Sequence, residues 1–190
     1  MGDATIGGLI AAFHFPSARA WAEAGVLFAG FGLLTGLVGI GGGLFEISPH
    51  FDATPLITAL VAVFVPAMGE ELVFRVLLQP KPGALAAPAP QDEVEGTLSN
   101  PSHAEVRAKV SLETRLLVIL ASLGLFVLWH PVQVWLGLPM AQAAFLDWRF
   151  LIIAGLLGMI CTISWQRSGS IWPAITIHWA AVMCWKALLV

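Results

Sequence analysis

The chain is 190 residues long, 58% hydrophobic and only 11% charged, with a formal net charge of -3 and a mean hydropathy of +0.85. A soluble domain keeps about a quarter of its residues charged to wet its surface, so a water-soluble globule is excluded, and without a basic stripe nucleic acid is excluded as a partner. The two cysteines, Cys161 and Cys184, lie in apolar runs without metal-ligand spacing and read as small buried hydrophobes.

In chain order, residues 7–15 form a short apolar stretch interrupted by His14 and closed by Pro16, with no basic n-region. No cleavable signal peptide is therefore expected, and insertion rests on the spans themselves. After an N-terminal segment, 1–22, five spans are predicted within a helical membrane bundle over 23–190. The first, 23–44, is Gly-rich and ends in Gly39-Ile40-Gly41-Gly42-Gly43. That run lacks the Lys and Ser/Thr of a phosphate-binding loop, so close helix packing or a flexible helix end explains it better. The second span, 56–78, contains Pro66, which is expected to kink it.

Residues 80–114 break the pattern with Pro-Lys-Pro-Gly, Ala-Pro-Ala-Pro and the acidic Asp92, Glu93 and Glu95. Nothing there can bury a core, so about its first twenty residues read as disordered loop. Ser102 and Glu105 have capping-box spacing, and a short polar helix is expected to lead into the third span, 115–135. The fourth runs over 150–165. The fifth follows Ser170, an N-cap candidate, with Pro173 in its first turn, and reaches the C-terminus. Trp21, Trp148, Trp165 and Trp172 flank apolar runs, where indoles sit well at headgroup level.

Arg19, Lys81, Arg107, Lys109, Arg115 and Arg167 all fall on one side of this arrangement, against Arg149 and Lys186 on the other. The positive-inside rule then makes the N-terminus and the 80–114 loop cytoplasmic, in a multi-pass protein of a bacterial inner membrane. A helix broken at His130-Pro131 would change the count.

The chemically informative residues are polar ones in apolar surroundings. Glu70, Glu71 and Arg75 lie within the second span, where each charge costs about 2.5 to 3.5 kcal/mol at mid-helix. Glu71 and Arg75 are four apart and can pair on one face; Glu70 points elsewhere. His130 closes the third span and His178 sits in the first two turns of the fifth. Singly, Glu70 to Arg75 read as an ion-paired helix end and each His as structural. Together, a carboxylate pair and two imidazoles on three spans form a constellation that apolar helices do not bury without a use. Two chemistries fit. A carboxylate can act as general base on a water that one imidazole holds while the other stabilises an oxyanion. Alternatively, Glu and two His can ligate zinc, although no His-Glu-x-x-His helix is present.

Glu70-Glu71-x-x-x-Arg75, Phe126-x-x-x-His130 and His178, in that order on separate spans, resemble the motifs of the CAAX-protease and bacteriocin-processing (abortive-infection-like) family of glutamic-type intramembrane proteases. The resemblance covers 56–190, which would be the catalytic core, with the first span as a variable addition. It implies that Glu70 is the general base, His130 orients the water and His178 contributes to the oxyanion site. Glu71, Arg75 and Phe126 would be structural supports. No cofactor is implied, with zinc the unfavoured possibility, and the partners would be a peptide or protein substrate and the bilayer. One position departs from the pattern: the Asn that often follows the last His by one turn is here Val182, which cannot donate. An indole N–H from Trp179 or Trp185 is one substitute.

Three functions therefore compete: an intramembrane endopeptidase; a non-catalytic protein of the same fold, serving bacteriocin self-immunity or assisting a membrane complex; and a proton-relay or transport subunit, for which no internal repeat is found.

Overall fold

The computed structural model describes residues 9–48, 64, 66–80, 82 and 101–188, with the backbone alone over 101–111. The expected second span before residue 64, the acidic stretch of the loop, Lys81 and the side chains of Ser102, Glu105, Arg107 and Lys109 lie outside the described residues.

The architecture is a helical membrane bundle, with no strand among the described residues. Helix α1 covers Ala18–Thr35 and continues as a wider π-turn over Gly36–Ile40. Ser17 caps its start by accepting from the Ala20 amide at 3.2 Å. Helix α2 covers 66–77, and its second half, Leu72–Leu77, is also a π-turn. Pro66 opens the described helical run of α2. Helix α3, Pro101–Trp135, is one continuous helix through Pro131. The polar lead-in and the third span are therefore fused, and the His130-Pro131 break does not occur. Helix α4 spans Trp148–Ser168 and α5 Ile171–Leu188. Ser170 takes its expected place before α5: its hydroxyl accepts from the Trp172 amide and donates to His14 O at 2.7 Å.

Among the described residues, three stretches are long and apolar enough to cross a membrane: Ala18–Ile40, Leu112–Trp135 and Trp148–Ser168. Helix α5, which carries His178 and Lys186, does not meet that measure, and α2 is described only in part. Five spans were expected; the described residues show three helices of spanning length and hydropathy, part of a further helix in α2, and α5 below that measure.

The two ends of the bundle are chemically distinct. At one, Arg19 and Arg167 share Glu23 at 3.0 and 2.9 Å, and Gln166 donates to Pro80 O at the end of α2. At the other, Asp147 caps α4 through the Arg149 amide at 2.8 Å. The Arg149 guanidinium returns to Asp147 and reaches Gly42 O at 2.6 Å, tying the glycine run to α4. These hydrogen bonds from Arg149 hold the Asp147 carboxyl low, at about 2. Ser48 also donates to Leu188 O there. Helices α3 and α5 thus run in the same direction and α4 opposes both.

Close packing explains the first glycine of the run, whereas Gly43 has open space and a positive φ of 70° that suits the turn closing the helix. A Cβ on Gly39 would lie 2.7 Å from the Phe45 ring and 3.3 Å from Ile153. The core collects Phe31, Phe45, Phe145, Phe150, Ile153 and Leu157 with the buried face of α5.

Candidate active site

Helices α2, α3 and α5 each bring one polar cluster to a shared region. On α2, Glu71 and Arg75 have side chains with no exposed surface, and Arg75 Nε donates to Glu71 Oε2 at 3.0 Å. Two more observations fix this pair. The Arg75 guanidinium lies 4.8 Å from the centroid of the Phe126 ring, a cation–π contact that gains from the low dielectric. His178 Nδ1 lies 2.9 Å from Glu71 Oε1. With one carboxylate oxygen committed to Arg75 and the other to His178, Glu71 serves as a brace across α2 and α5.

The π-turn that carries Arg75 leaves a carbonyl to be satisfied. The Leu78 amide bonds Val73 O and Arg75 O, and Gln79 bonds Arg75 O. Phe74 O is skipped, and Ser122 Oγ of α3 donates to it. This bond pins α2 against α3 inside an apolar bundle, where an orphan carbonyl is costly.

Glu70 points elsewhere, as its position around the helix requires. Its Oε1 accepts from Trp129 Nε1 at 3.1 Å, and its Oε2 lies 3.8 Å from His178 Nε2. Because a carboxylate can only accept, Glu71 fixes a proton on Nδ1 of His178 and turns Nε2 toward Glu70, where a ring protonated at both nitrogens has a second N–H to donate. His130 is set in the same manner. Its Nδ1 is 3.0 Å from Phe126 O, a carbonyl that can only accept, so Nε2 is the free nitrogen. Pro131, which has no N–H, loosens the helix ladder where this ring bonds back.

Phe126 stands between the two imidazoles. Its centroid is 5.2 Å from that of His130 and 5.7 Å from that of His178, both edge-on, which limits the imidazole separation to at most the sum of these distances. The ring is fully buried. It fits because residue 158 of α4 is Gly: a Cβ there would lie 2.9 Å from Phe126 and 3.2 Å from Leu123. Phe126 cannot retreat, since Phe74 stacks edge-on behind it at 5.3 Å. Gly158→Ala is therefore expected to cost about 1–3 kcal/mol through overpacking, seen as a lower thermal midpoint. An unchanged midpoint would show that the Phe126 seat is soft.

Glu70, His130 and His178 all line one cavity of about 320 Å³, walled mainly by apolar side chains from α1, α4 and α5. Its lining extends past Ile40, Met140 and Lys186, the end of the bundle that carries Arg149. Val182, one turn beyond His178, also lines it. So does Trp185, whose ring packs within 6.0 Å of Phe45, Phe145 and Phe150. Among the described residues no three His, Cys, Asp or Glu side chains converge as a metal site. Cys161 is fully buried and donates to Ala174 O, as a packed thiol does.

All six residues singled out from the sequence meet here: Glu70, Glu71, Arg75, Phe126, His130 and His178. The sequence reading missed three things. It assigned Glu71 to Arg75 alone, whereas Glu71 also holds His178. It passed over Trp129, although an indole beside His130 on a span end was a visible donor. And it did not notice Gln133, a buried amide one turn beyond His130 that borders the cavity.

Comparison with known proteins adds an independent line. The family model described as type II CAAX prenyl endopeptidase Rce1-like matches residues 52–184, more than two thirds of the chain, and takes in every residue of the cluster. No curated protein and no solved structure matches the chain significantly.

Proposed function

The chain belongs to the type II CAAX prenyl endopeptidase Rce1-like family, and from that premise we propose that it is an intramembrane endopeptidase that hydrolyses a peptide bond of a membrane-associated protein or peptide with Glu70-activated water. The observation that carries this reading is the contrast between the two carboxylates. Both oxygens of Glu71 are tied up in buried bonds, whereas Glu70 borders the cavity and faces an imidazole whose orientation Glu71 sets.

Glu70 removes a proton from water as it attacks the substrate carbonyl, and later delivers it to the leaving amine. Trp129 holds one of its oxygens and aims the other. His130 offers Nε2 to the same water. His178 approaches from α5 and supports the tetrahedral intermediate, its Glu71 brace keeping the ring from turning. The 3.8 Å gap between Glu70 and His178 is loose, as it often is before substrate tightens a site. The apolar cavity wall excludes bulk water and strengthens each of these interactions. By the positive-inside rule the Arg19–Arg167 end faces the cytoplasm of a bacterial inner-membrane protein, so substrate reaches the cavity from the other end or from the bilayer.

The test is cleavage of a panel of hydrophobic peptides by the purified protein in lipid nanodiscs. The chemistry proposed for Glu70 needs no metal, so 1,10-phenanthroline is expected to leave the rate unchanged. Loss of cleavage that zinc restores would replace the water-base mechanism by a zinc-bound one. A second reading, a non-catalytic protein of the same fold, draws on Val182, which puts no donor beside His178. It predicts no cleavage by a folded wild-type protein, together with a cellular phenotype that Glu70→Gln preserves.

A further inference from the structure

Hydrolysis through a tetrahedral intermediate places a negative charge on the former carbonyl oxygen, and an apolar cavity must supply N–H donors for it. The inference here rests on the peptidase reading above. His178 is one donor, and the next residue along the same face of α5, Val182, offers none.

The remaining donors on the cavity wall can be sorted by depth. Lys186 is exposed and Gln142 half-buried, both toward the open end. Trp185 sits about two turns from His178 toward that end, roughly 10 Å along the axis. The Thr35 hydroxyl is sealed from the cavity. Gln133 differs from all of these. It is 7% exposed and borders the cavity, and among the described residues its carboxamide has no hydrogen-bond partner. Its amide is not among the sealed, unbonded polar groups of the interior, so it keeps contact with accessible space, and the space it borders is the cavity.

Its depth is the decisive point. Helices α3 and α5 run the same way, and Phe126 contacts the rings of both His130 and His178. The three residues from His130 to Gln133 rise about 4.5 Å and the four from His178 to Val182 about 6 Å, in the same direction. Gln133 therefore stands within about a turn of the depth of Val182, on the facing helix, three residues from His130 and on its side of α3.

We infer that the Gln133 carboxamide is the second oxyanion donor of this protein, contributing from α3 the N–H that position 182 of α5 cannot. Gln133 has no part in the proton transfer and acts on the carbonyl oxygen alone.

The test compares wild type, Gln133→Met and Gln133→Met/Val182→Asn in nanodiscs, with thermal midpoints to confirm folding. Gln133→Met is expected to lower kcat about 100-fold with KM within about 3-fold, the range seen when one oxyanion donor is removed. Adding Val182→Asn, which sets a carboxamide on the opposite wall within about a turn of that depth, is expected to recover at least about 10-fold. Gln133→Glu, which keeps the shape and removes the N–H, is expected to match Gln133→Met. Full activity in Gln133→Met overturns the inference, and so does a loss that Val182→Asn leaves untouched. A second readout needs no turnover: binding of a phosphinate analogue of a hydrophobic peptide, followed by indole fluorescence, against binding of the parent peptide. Gln133→Met should weaken the analogue about 100-fold and the parent less than about 3-fold. Equal effects on the two, or none, overturn the inference. A wild type that cleaves nothing yet shows this difference sinks the peptidase reading and leaves the donor assignment standing.

Discussion

Replacing Glu70 by Gln is expected to lower peptide cleavage about 10²- to 10⁴-fold while leaving the bundle folded. The reason for expecting both halves lies in what Glu70 touches. The Gln carbonyl can still accept from Trp129 Nε1, so the one hydrogen bond that fixes the side chain survives. The change also removes a charge from an apolar region, which costs nothing in stability. What it removes is the ability to take a proton from water. Glu71 cannot substitute, because one oxygen is bound to Arg75 and the other to His178, and its side chain has no exposed surface. The measurement is the rate of product formation in nanodiscs alongside the thermal midpoint. Cleavage at the wild-type rate by Glu70→Gln would remove Glu70 as base and with it the proposed mechanism.

The division between a carboxylate committed to buried bonds and one that faces the cavity was half legible in the sequence. Glu71 and Arg75 are four residues apart, so any helix pairs them, and Glu70 is thereby turned away. The link from Glu71 to His178 depends on how α5 approaches α2, across 107 residues of chain, and no local spacing reports it. Phe126 was visible only as a motif position. Its work as a partition between two imidazoles needs α4 to present Gly158 at the right height. The same limit applies to the elements. Apolar runs located α1, α3 and α4 within several residues, because hydropathy reports burial in lipid. The π-turns at Gly36–Ile40 and Leu72–Leu77 left no composition signal. Yet the second of them frees the Phe74 carbonyl for Ser122 and so fixes α2 in the bundle. Gln133 was missed for a related reason: a single amide near a span end is unremarkable until the cavity beside it is known.

Glu71→Gln is expected to destabilise the protein by about 3–5 kcal/mol, because it leaves the Arg75 guanidinium buried without a counter-charge. Arg75 has no spare partners to fall back on: both its Nη atoms are buried and unbonded among the described residues, and its face lies against Phe126. Arg75→Met is expected to cost less, since Glu71 keeps the His178 N–H. The informative variant is the double replacement Glu71→Met/Arg75→Met. Removing both charges together relieves the desolvation that the pair must overcome, and swaps of this kind are often neutral or stabilising. Its thermal midpoint should therefore return close to wild type. Cleavage should not return, because His178 has lost the acceptor that fixes its proton on Nδ1 and holds Nε2 toward Glu70; losing the orienting carboxylate of a catalytic imidazole costs up to about 10⁴-fold in kcat. Stability and activity are thus expected to separate in one variant. If the double replacement is stable and cleaves at the wild-type rate, the Glu71–His178 bond has no part in positioning the imidazole. If it stays as unstable as Glu71→Gln, the cost lies in lost packing around Phe126, and the ion pair is not its source.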